Sequence, residues 1–155
     1  MKNVVEKLIS LNKTISTMES CSGGALVNEI TNIEGASNVL RYSAVTYSNE
    51  FKIKMGVSKG TIDKYSVYSL EVAKEMSKQI SLFSDSNYGI GITGKLNKPD
   101  ENNLYGNDNR VFVSIYDKDN NKYYTITIDV DKKTREENKK IIITIIVETL
   151  ISLIN

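Results

Sequence analysis

Histidine is absent from the 155-residue sequence, which holds one cysteine and one proline. A chain without histidine forms no Ser-His-Asp triad, no Cys-His dyad and no histidine-ligated metal site. The single cysteine, Cys21, excludes an internal disulfide and a cysteine-rich zinc site. We interpret Cys21 as a small buried hydrophobic residue, since no histidine is available to activate its thiol. If a serine acts as a nucleophile here, its base must therefore be a lysine, a tyrosine or a carboxylate.

An excess of charge is also missing, because 20 Lys and Arg residues nearly balance 19 Asp and Glu residues. The basic residues are scattered along the chain, which argues against broad nucleic-acid binding. The most apolar stretch, 141–154, is interrupted by polar residues and is too short for a membrane span, which needs about 20 apolar residues. The first residues lack the apolar core of a signal peptide, so we expect a cytoplasmic protein.

The residues that are present predict one domain over 1–155, because 40% of them are hydrophobic and 25% are charged. Hydrophobic spacing and turn residues predict helices at about 3–12, 22–32, 50–55, 59–64, 69–83 and 134–153, and strands at 14–18, 41–47, 88–93, 110–116 and 122–129. This order predicts a three-layer α/β/α domain with a mixed sheet. The polar segment 94–109 is a long loop, which in a compact domain is either functional or disordered.

The last predicted helix is apolar except for one polar stripe, formed by Lys140, Thr144, Glu148 and Ser152 at a spacing of four. Such a helix is typically buried on most sides, between the sheet and a neighbouring helix or at a subunit contact. We therefore expect a homo-oligomer, a dimer or larger.

The stretch 19–24 joins the first strand to the second helix through small hydroxyl residues and two glycines. A turn of this kind exposes backbone N–H groups and the helix dipole, which suit an anion or a developing oxyanion. The alternative is a tight structural connection in which Ser22 caps the helix. The sequence leaves both interpretations open.

Three turns at strand ends, 19–24, 47–49 and 93–95, are expected to converge at one edge of the sheet. There Ser20, Tyr47 and Lys52 could form a nucleophile system without histidine. Lys52 would accept the serine proton if burial or a cationic neighbour lowered its pKa, and Tyr47 would relay or orient that proton. The alternatives are a solvated lysine, a packed tyrosine, and caps at Ser48 and Asn49.

Five short motifs resemble those of the CinA C-terminal domain family, whose active members include nicotinamide mononucleotide amidohydrolases of the PncC type. Residues 19–24 read E-S-C-S-G-G where the family has E-S-C-T-G-G, and residues 45–52 read V-T-Y-S-N-E-F-K, as in the family's V-T-Y-S-N-E-x-K. Residues 55–57 (M-G-V) and 68–76 (Y-S-L-E-V-A-K-E-M) are similar to its L-G-V and V-S-x-E-V-A-x-x-M motifs. Residues 92–94 (I-T-G) match the start of its T-G-x-A-G-P loop.

The resemblance implies a stand-alone α/β/α domain that hydrolyses the carboxamide of nicotinamide mononucleotide to nicotinate mononucleotide and ammonia, without metal or cofactor. It implies Ser20 as the nucleophile, Tyr47 and Lys52 as assisting groups, and a substrate contact at Arg135. The full set of predicted substrate-binding residues is Glu19, Ser22, Gly23, Gly24, Ser48, Asn49, Thr93, Gly94 and Arg135.

One departure from the family follows Gly94, where Lys95-Leu96-Asn97-Lys98-Pro99-Asp100 replaces the expected I-A-G-P-x-G-G. The glycine-rich loop that helps to form the family's pocket is therefore lost or rebuilt. This departure motivates the alternative of a nucleotide-binding or partner-binding domain that has lost turnover. A third hypothesis is a homo-oligomeric scaffold built on the apolar last helix.

Overall fold

A computed structural model of the chain describes residues 1–154, and the predicted helices and strands are all present, with ends that differ by at most three residues. In chain order the elements are α1 (Lys2–Ser10), β1 (Ile15–Glu19), α2 (Ala25–Thr31), a 3₁₀ turn (Ala36–Asn38), β2 (Leu40–Val45), α3 (Asn49–Lys54), α4 (Lys59–Tyr65), α5 (Leu70–Ser84), β3 (Tyr88–Gly94), β4 (Arg110–Asp117), β5 (Lys122–Asp129) and α6 (Arg135–Leu153).

The strands form one five-stranded sheet in the order β2-β1-β3-β4-β5. β1 pairs in parallel with both β2 and β3, whereas β4 is antiparallel to β3 and to β5. The sheet is therefore mixed, as predicted. Because β1, β2 and β3 run in the same direction, the segments that follow them meet at one edge of the sheet.

Helices cover both faces of the sheet, which confirms the three-layer arrangement. α1, α2 and α6 pack on one face in a cluster that includes Leu8, Leu26 and Ile146. α5 packs on the other face, where Met76 and Ile80 belong to a second buried cluster with Met18 of β1. Alternate residues of β1 therefore point to opposite layers, as the two-residue period of a strand requires.

Within the single domain, α6 is buried along one side. Its polar stripe is exposed as expected, and Ile142, Ile143, Ile146 and Leu150 are buried against the domain. The flanking apolar residues, such as Ile145 and Ile151, are only half-buried. Within the described residues α6 is thus an amphipathic helix on one domain face, and a second copy on its flank stays a prediction. None of the helices described here has both the length and the hydropathy needed to cross a membrane.

Two glycines in β3 let α5 lie directly against the sheet. A Cβ atom at Gly89 would lie 2.0 Å from the carbonyl oxygen of Ser77, and one at Gly91 would lie 2.3 Å from that of Ala73. Both obstacles are helix backbone, which cannot rotate away as a flexible side chain could. The distance between β3 and α5 is therefore fixed by direct backbone contact.

We predict that Gly91→Ala lowers the free energy of unfolding by at least about 2 kcal/mol, since overpacking a rigid interface costs this much or more. Urea denaturation followed by circular dichroism measures the change. Gly60→Ala is the matched control, because a Cβ atom there would meet its nearest neighbour, the Ser58 hydroxyl, at 3.5 Å. The control is expected to be neutral or slightly stabilising in helix α4, and equal midpoints for both variants would contradict the prediction.

Candidate active site

A cavity of about 570 Å³ opens at the edge of the sheet where β1, β2 and β3 end. Its walls come from residues 20–21 after β1, residues 47–52 after β2, loop residues 94–103 after β3, Tyr68, and Arg135 at the start of α6. Segments that are distant in sequence therefore share one space, as the convergence of the strand ends predicts. The volume lies in the range that small-molecule sites usually occupy, about 300–1,000 Å³.

Lys52 and Ser20 meet inside this cavity. The Nζ atom of Lys52 lies 3.0 Å from the Ser20 hydroxyl oxygen and donates a second hydrogen bond to the Thr46 carbonyl at 2.7 Å. The whole Lys52 residue is only 1% exposed. Ser48 helps to explain this placement. Its hydroxyl accepts a hydrogen bond from the Phe51 N–H at 3.1 Å and so fixes the start of α3, the short helix that carries Lys52.

Burial of the Lys52 amine lowers its pKa to about 8, against weaker opposing effects of Cys21 and Asp100. Desolvation disfavours the ammonium form, so a useful fraction of the amine is neutral near physiological pH. Burial has the opposite effect on the neighbouring thiol and raises the pKa of Cys21 to about 12. Cys21 therefore stays a neutral, buried thiol, in agreement with its interpretation as a small hydrophobic residue.

Glu19 does not face the cavity, which corrects its prediction as a substrate-binding residue. Its fully buried carboxylate accepts hydrogen bonds from the N–H groups of Gly24 at 3.1 Å, Leu26 at 3.1 Å and Val27 at 2.9 Å. These are N–H groups that the first turn of a helix leaves without partners, and a negative charge there also matches the helix dipole. Glu19 thus takes the capping role that the alternative interpretation gave to Ser22, which makes no side-chain cap to α2.

The two glycines of the turn also have structural partners. The Gly23 N–H donates to the Ser20 carbonyl at 2.9 Å, and the Gly24 N–H is bound by Glu19. Both glycines have positive φ, 63° and 91°, a region that other residues rarely adopt. The expected oxyanion donors at Gly23 and Gly24 are therefore already engaged. Within residues 1–154 the N–H groups of Cys21 and Ser22 have no such acceptor, so they are the donors left for an anion at this turn.

Tyr47 lies at the mouth of the cavity, not beside the serine. Its side chain is 65% exposed, and its hydroxyl accepts a hydrogen bond from the Arg135 guanidinium at 3.3 Å. The other arm of Arg135 donates to the Leu96 carbonyl at 2.6 Å. Tyr47 is therefore placed to touch a ligand at the entrance, and in this arrangement it is not hydrogen-bonded to Ser20.

The remaining predicted residues divide between the cavity wall and its support. Ser48, Asn49 and Gly94 line the cavity, and the Asn49 side chain also donates to Asn103 at 3.0 Å. Thr93 is buried behind the wall, where its hydroxyl donates to the Val67 carbonyl at 2.9 Å. The prediction that Thr93 contacts a ligand therefore does not match its position.

The loop after β3 contributes wall residues that sequence reasoning missed. Asp100 accepts hydrogen bonds from the Tyr68 hydroxyl, from the Asn103 side chain at 2.8 Å and from the Asn102 N–H at 3.0 Å. The bond from Tyr68 is the main cause that holds the pKa of Asp100 below its usual value, while burial is the main cause that raises the pKa of Tyr68. Lys95 is buried in the same wall. The only sequence signal was the length and polarity of the loop.

No cluster of three cysteine or carboxylate side chains with metal-binding geometry occurs within the described part of the chain. The chemical groups that line the cavity are instead a hydroxyl, a buried amine and several basic side chains, beside a turn whose Cys21 and Ser22 N–H groups have no backbone acceptor in the described residues. Such a set is suited to nucleophilic attack on a carbonyl group and to binding an anion.

Comparison with known families gives a match to the CinA C-terminal domain over residues 1–154. A competence-damage inducible protein of Thermoanaerobacter sp. (strain X514) is 42% identical over 96 residues, which are 61% of this chain and 23% of that protein. One from Clostridium botulinum (strain Langeland) is 47% identical over 88 residues, 56% of this chain and 22% of that protein. The chain thus spans about a quarter of the length of the curated relatives it matches.

Solved structures show the same fold at low sequence identity. The competence or damage-inducible protein from Enterobacter asburiae superposes with a TM-score of 0.90 at 19% identity, covering 99% of this chain and 95% of that one. The protein CihA from Agrobacterium tumefaciens gives a TM-score of 0.85 at 24% identity, with the same coverage of 99% and 95%. At these identities the likeness concerns the fold.

We predict that Glu19→Gln lowers the free energy of unfolding by about 2 kcal/mol, because an NH₂ group would then face the N–H donors of α2 and the charge at the helix dipole would be lost. The matched control is Glu29→Gln, an exposed glutamate on the same helix, which we expect to change stability by less than about 0.5 kcal/mol. Urea unfolding measures both variants. A Glu19→Gln protein as stable as the control would show that the buried carboxylate is not needed at this turn.

Proposed function

The chain belongs to the CinA C-terminal domain family, and from this premise we propose that it is an amidohydrolase that converts nicotinamide mononucleotide to nicotinate mononucleotide and ammonia. The observation that carries the proposal is the hydrogen bond between the buried Lys52 amine and the Ser20 hydroxyl in a cavity of suitable size. A lysine whose pKa is lowered to about 8 can serve as a general base in a chain without histidine.

In the first step, neutral Lys52 accepts the hydroxyl proton of Ser20 as its Oγ atom attacks the carboxamide carbon. The C–N bond of the tetrahedral intermediate then breaks, and the Lys52 ammonium returns the proton to the leaving group, which departs as ammonia. An ester between Ser20 and the nicotinoyl group remains. Lys52, neutral again, accepts a proton from water as the hydroxide attacks this ester, and then returns it to Ser20 as nicotinate mononucleotide is released.

Other groups of the site support this sequence of steps. The Thr46 carbonyl holds the Lys52 amine in place in both protonation states. The N–H groups of Cys21 and Ser22 are assigned to the oxyanion of the tetrahedral intermediate, because they have no backbone acceptor in the described residues. Removing one oxyanion donor typically costs about 10²–10³ in kcat. Tyr47 and Arg135 at the entrance are assigned to the nucleotide part of the substrate, away from the reacting carbon.

A second candidate function is binding of a mononucleotide without turnover. The observation that favours it is the position of Tyr47, which is bound to Arg135 and has no hydrogen bond to the nucleophile. A thermal-shift screen of mononucleotides separates the two functions: stabilisation without ammonia release supports the second candidate. Mass measurement in solution tests the expected homo-oligomer independently of either function.

We predict that Ser20→Ala and Lys52→Arg each reduce ammonia release from nicotinamide mononucleotide by at least about 100-fold, since a positioned base contributes 10²–10⁴ and a guanidinium cannot act as a base near neutrality. Lys54→Arg is the matched control, because Lys54 lies on the same helix with an exposed side chain. Nicotinamide and glutamine serve as control substrates. Equal rates in wild type and Ser20→Ala would remove Ser20 from the mechanism.

We also predict that kcat/KM rises with pH by close to tenfold per unit below about 8 and levels off above it. Only the neutral amine accepts a proton, so the rate follows the deprotonated fraction of Lys52, whose pKa is lowered to about 8. Steady-state rates between pH 6 and 9.5 test this prediction. A profile that is flat or falls through this range would contradict the assignment of Lys52 as the base.

A further inference from the structure

Lys95 is a second buried amine in the cavity, and it has few partners of its own. Its side chain is 1% exposed, and within residues 1–154 the only acceptor near Nζ is a carboxylate oxygen of Asp108 at 3.4 Å. Asp108 itself is 45% exposed and is therefore largely solvated. The Tyr68 ring adds a cation–π contact, with its centroid 5.3 Å from Nζ. An ammonium group carries three N–H donors, so most of the hydrogen-bonding capacity of Lys95 is unused.

The contrast with Lys52 shows what is missing. Lys52 has two close oxygen partners, at 2.7 and 3.0 Å, whereas Lys95 has one long contact. Burial of a charged amine is unfavourable unless hydrogen-bonding groups replace the lost water. A ligand in the cavity that carries an anionic oxygen would complete the environment of Lys95.

The charges around the cavity favour an anion. Four of its lining residues are basic, namely Lys52, Lys95, Lys98 and Arg135, and Asp100 is the one acidic residue. Asp100 is already bound by Tyr68, Asn102 and Asn103. Arg135 donates to the carbonyl of Leu96, the residue after Lys95, so the two cations belong to the same part of the wall. A wall with this charge attracts anions and concentrates them at the site.

We infer that Lys95 binds the phosphate monoester of a mononucleotide, with its base directed to Ser20 and its phosphate to the wall formed by Lys95 and Arg135. This inference rests on the proposed function for the identity of the base, but not for the anionic site. Lys95 lies in the segment that departs from the family's glycine-rich loop. The rebuilt loop therefore supplies a cation for substrate recognition.

Equilibrium binding, measured by calorimetry on Ser20→Ala protein so that no turnover occurs, tests the inference. The probes are nicotinamide mononucleotide, the riboside that lacks the phosphate, and inorganic phosphate. Adding Lys95→Met should weaken binding of the mononucleotide and of phosphate by at least 10-fold and leave riboside binding unchanged. Lys122→Met, on the exposed side of the distant strand β5, is the matched control and should change none of the three.

A measurement on protein with Lys95 intact covers the case in which Lys95→Met fails to fold: inorganic phosphate should compete with the mononucleotide and not with the riboside. Equal weakening of mononucleotide and riboside by Lys95→Met, no weakening of either, or the absence of saturable binding of all three probes would overturn the inference. If wild type releases no ammonia from nicotinamide mononucleotide but phosphate-dependent binding is lost with Lys95, the proposed reaction fails and the anionic site stands.

Discussion

The chemistry proposed for this domain depends on the removal of one amine, that of Lys52, from water. Lys52 is brought into the protein by a short helix whose start is fixed by Ser48, and its amine is held between the Thr46 carbonyl and the Ser20 hydroxyl. Desolvation is the largest cause of its lowered pKa. In a chain without histidine, burial thus gives a lysine amine that is partly neutral near physiological pH, a property that an imidazole has by its intrinsic pKa. The surrounding fold keeps this amine buried and 3.0 Å from the Ser20 hydroxyl.

The buried carboxylate of Glu19 supports the position of Ser20 beside Lys52. Glu19 lies next to Ser20 in the chain, but its carboxylate points to the opposite layer and binds three N–H groups at the start of α2. Alternation along β1 explains the division, since successive side chains of a strand point to opposite faces. The carboxylate fixes the helix, the helix fixes the glycine turn, and the turn positions the serine. A short motif therefore combines a residue for structure with a residue for chemistry.

The sequence predicted the fold and the meeting of Ser20 with Lys52 because both follow from strong, local signals. Periodicity and turn residues defined the elements, in agreement with the helix caps that the structure shows at Ser48, Ser69 and Thr134, and parallel strands bring their ends to one edge. It did not predict the inward turn of Glu19, the exposure of Tyr47 or the wall formed by Lys95 and Asp100. Side-chain direction in turns, and the course of a loop as long as 95–109, depend on tertiary contacts such as the one between Tyr68 and Asp100. Residue composition and sequence spacing do not predict such contacts.

The two buried lysines of the cavity lie on different segments, so the residues proposed to bind the ligand can change while those proposed for the reaction stay in place. Lys52 belongs to the segment shared with the family motif, and its amine is already satisfied by protein oxygens. Lys95 belongs to the replaced loop, and its amine has one long contact to a largely solvated carboxylate. The proposed nucleophile and base lie at the end of β1 and on α3, while the loop contacts α3 through the hydrogen bond from Asn49 to Asn103. Because the two groups rest on different elements, the loop can be rebuilt around a new cation while the distance between Ser20 and Lys52 is preserved.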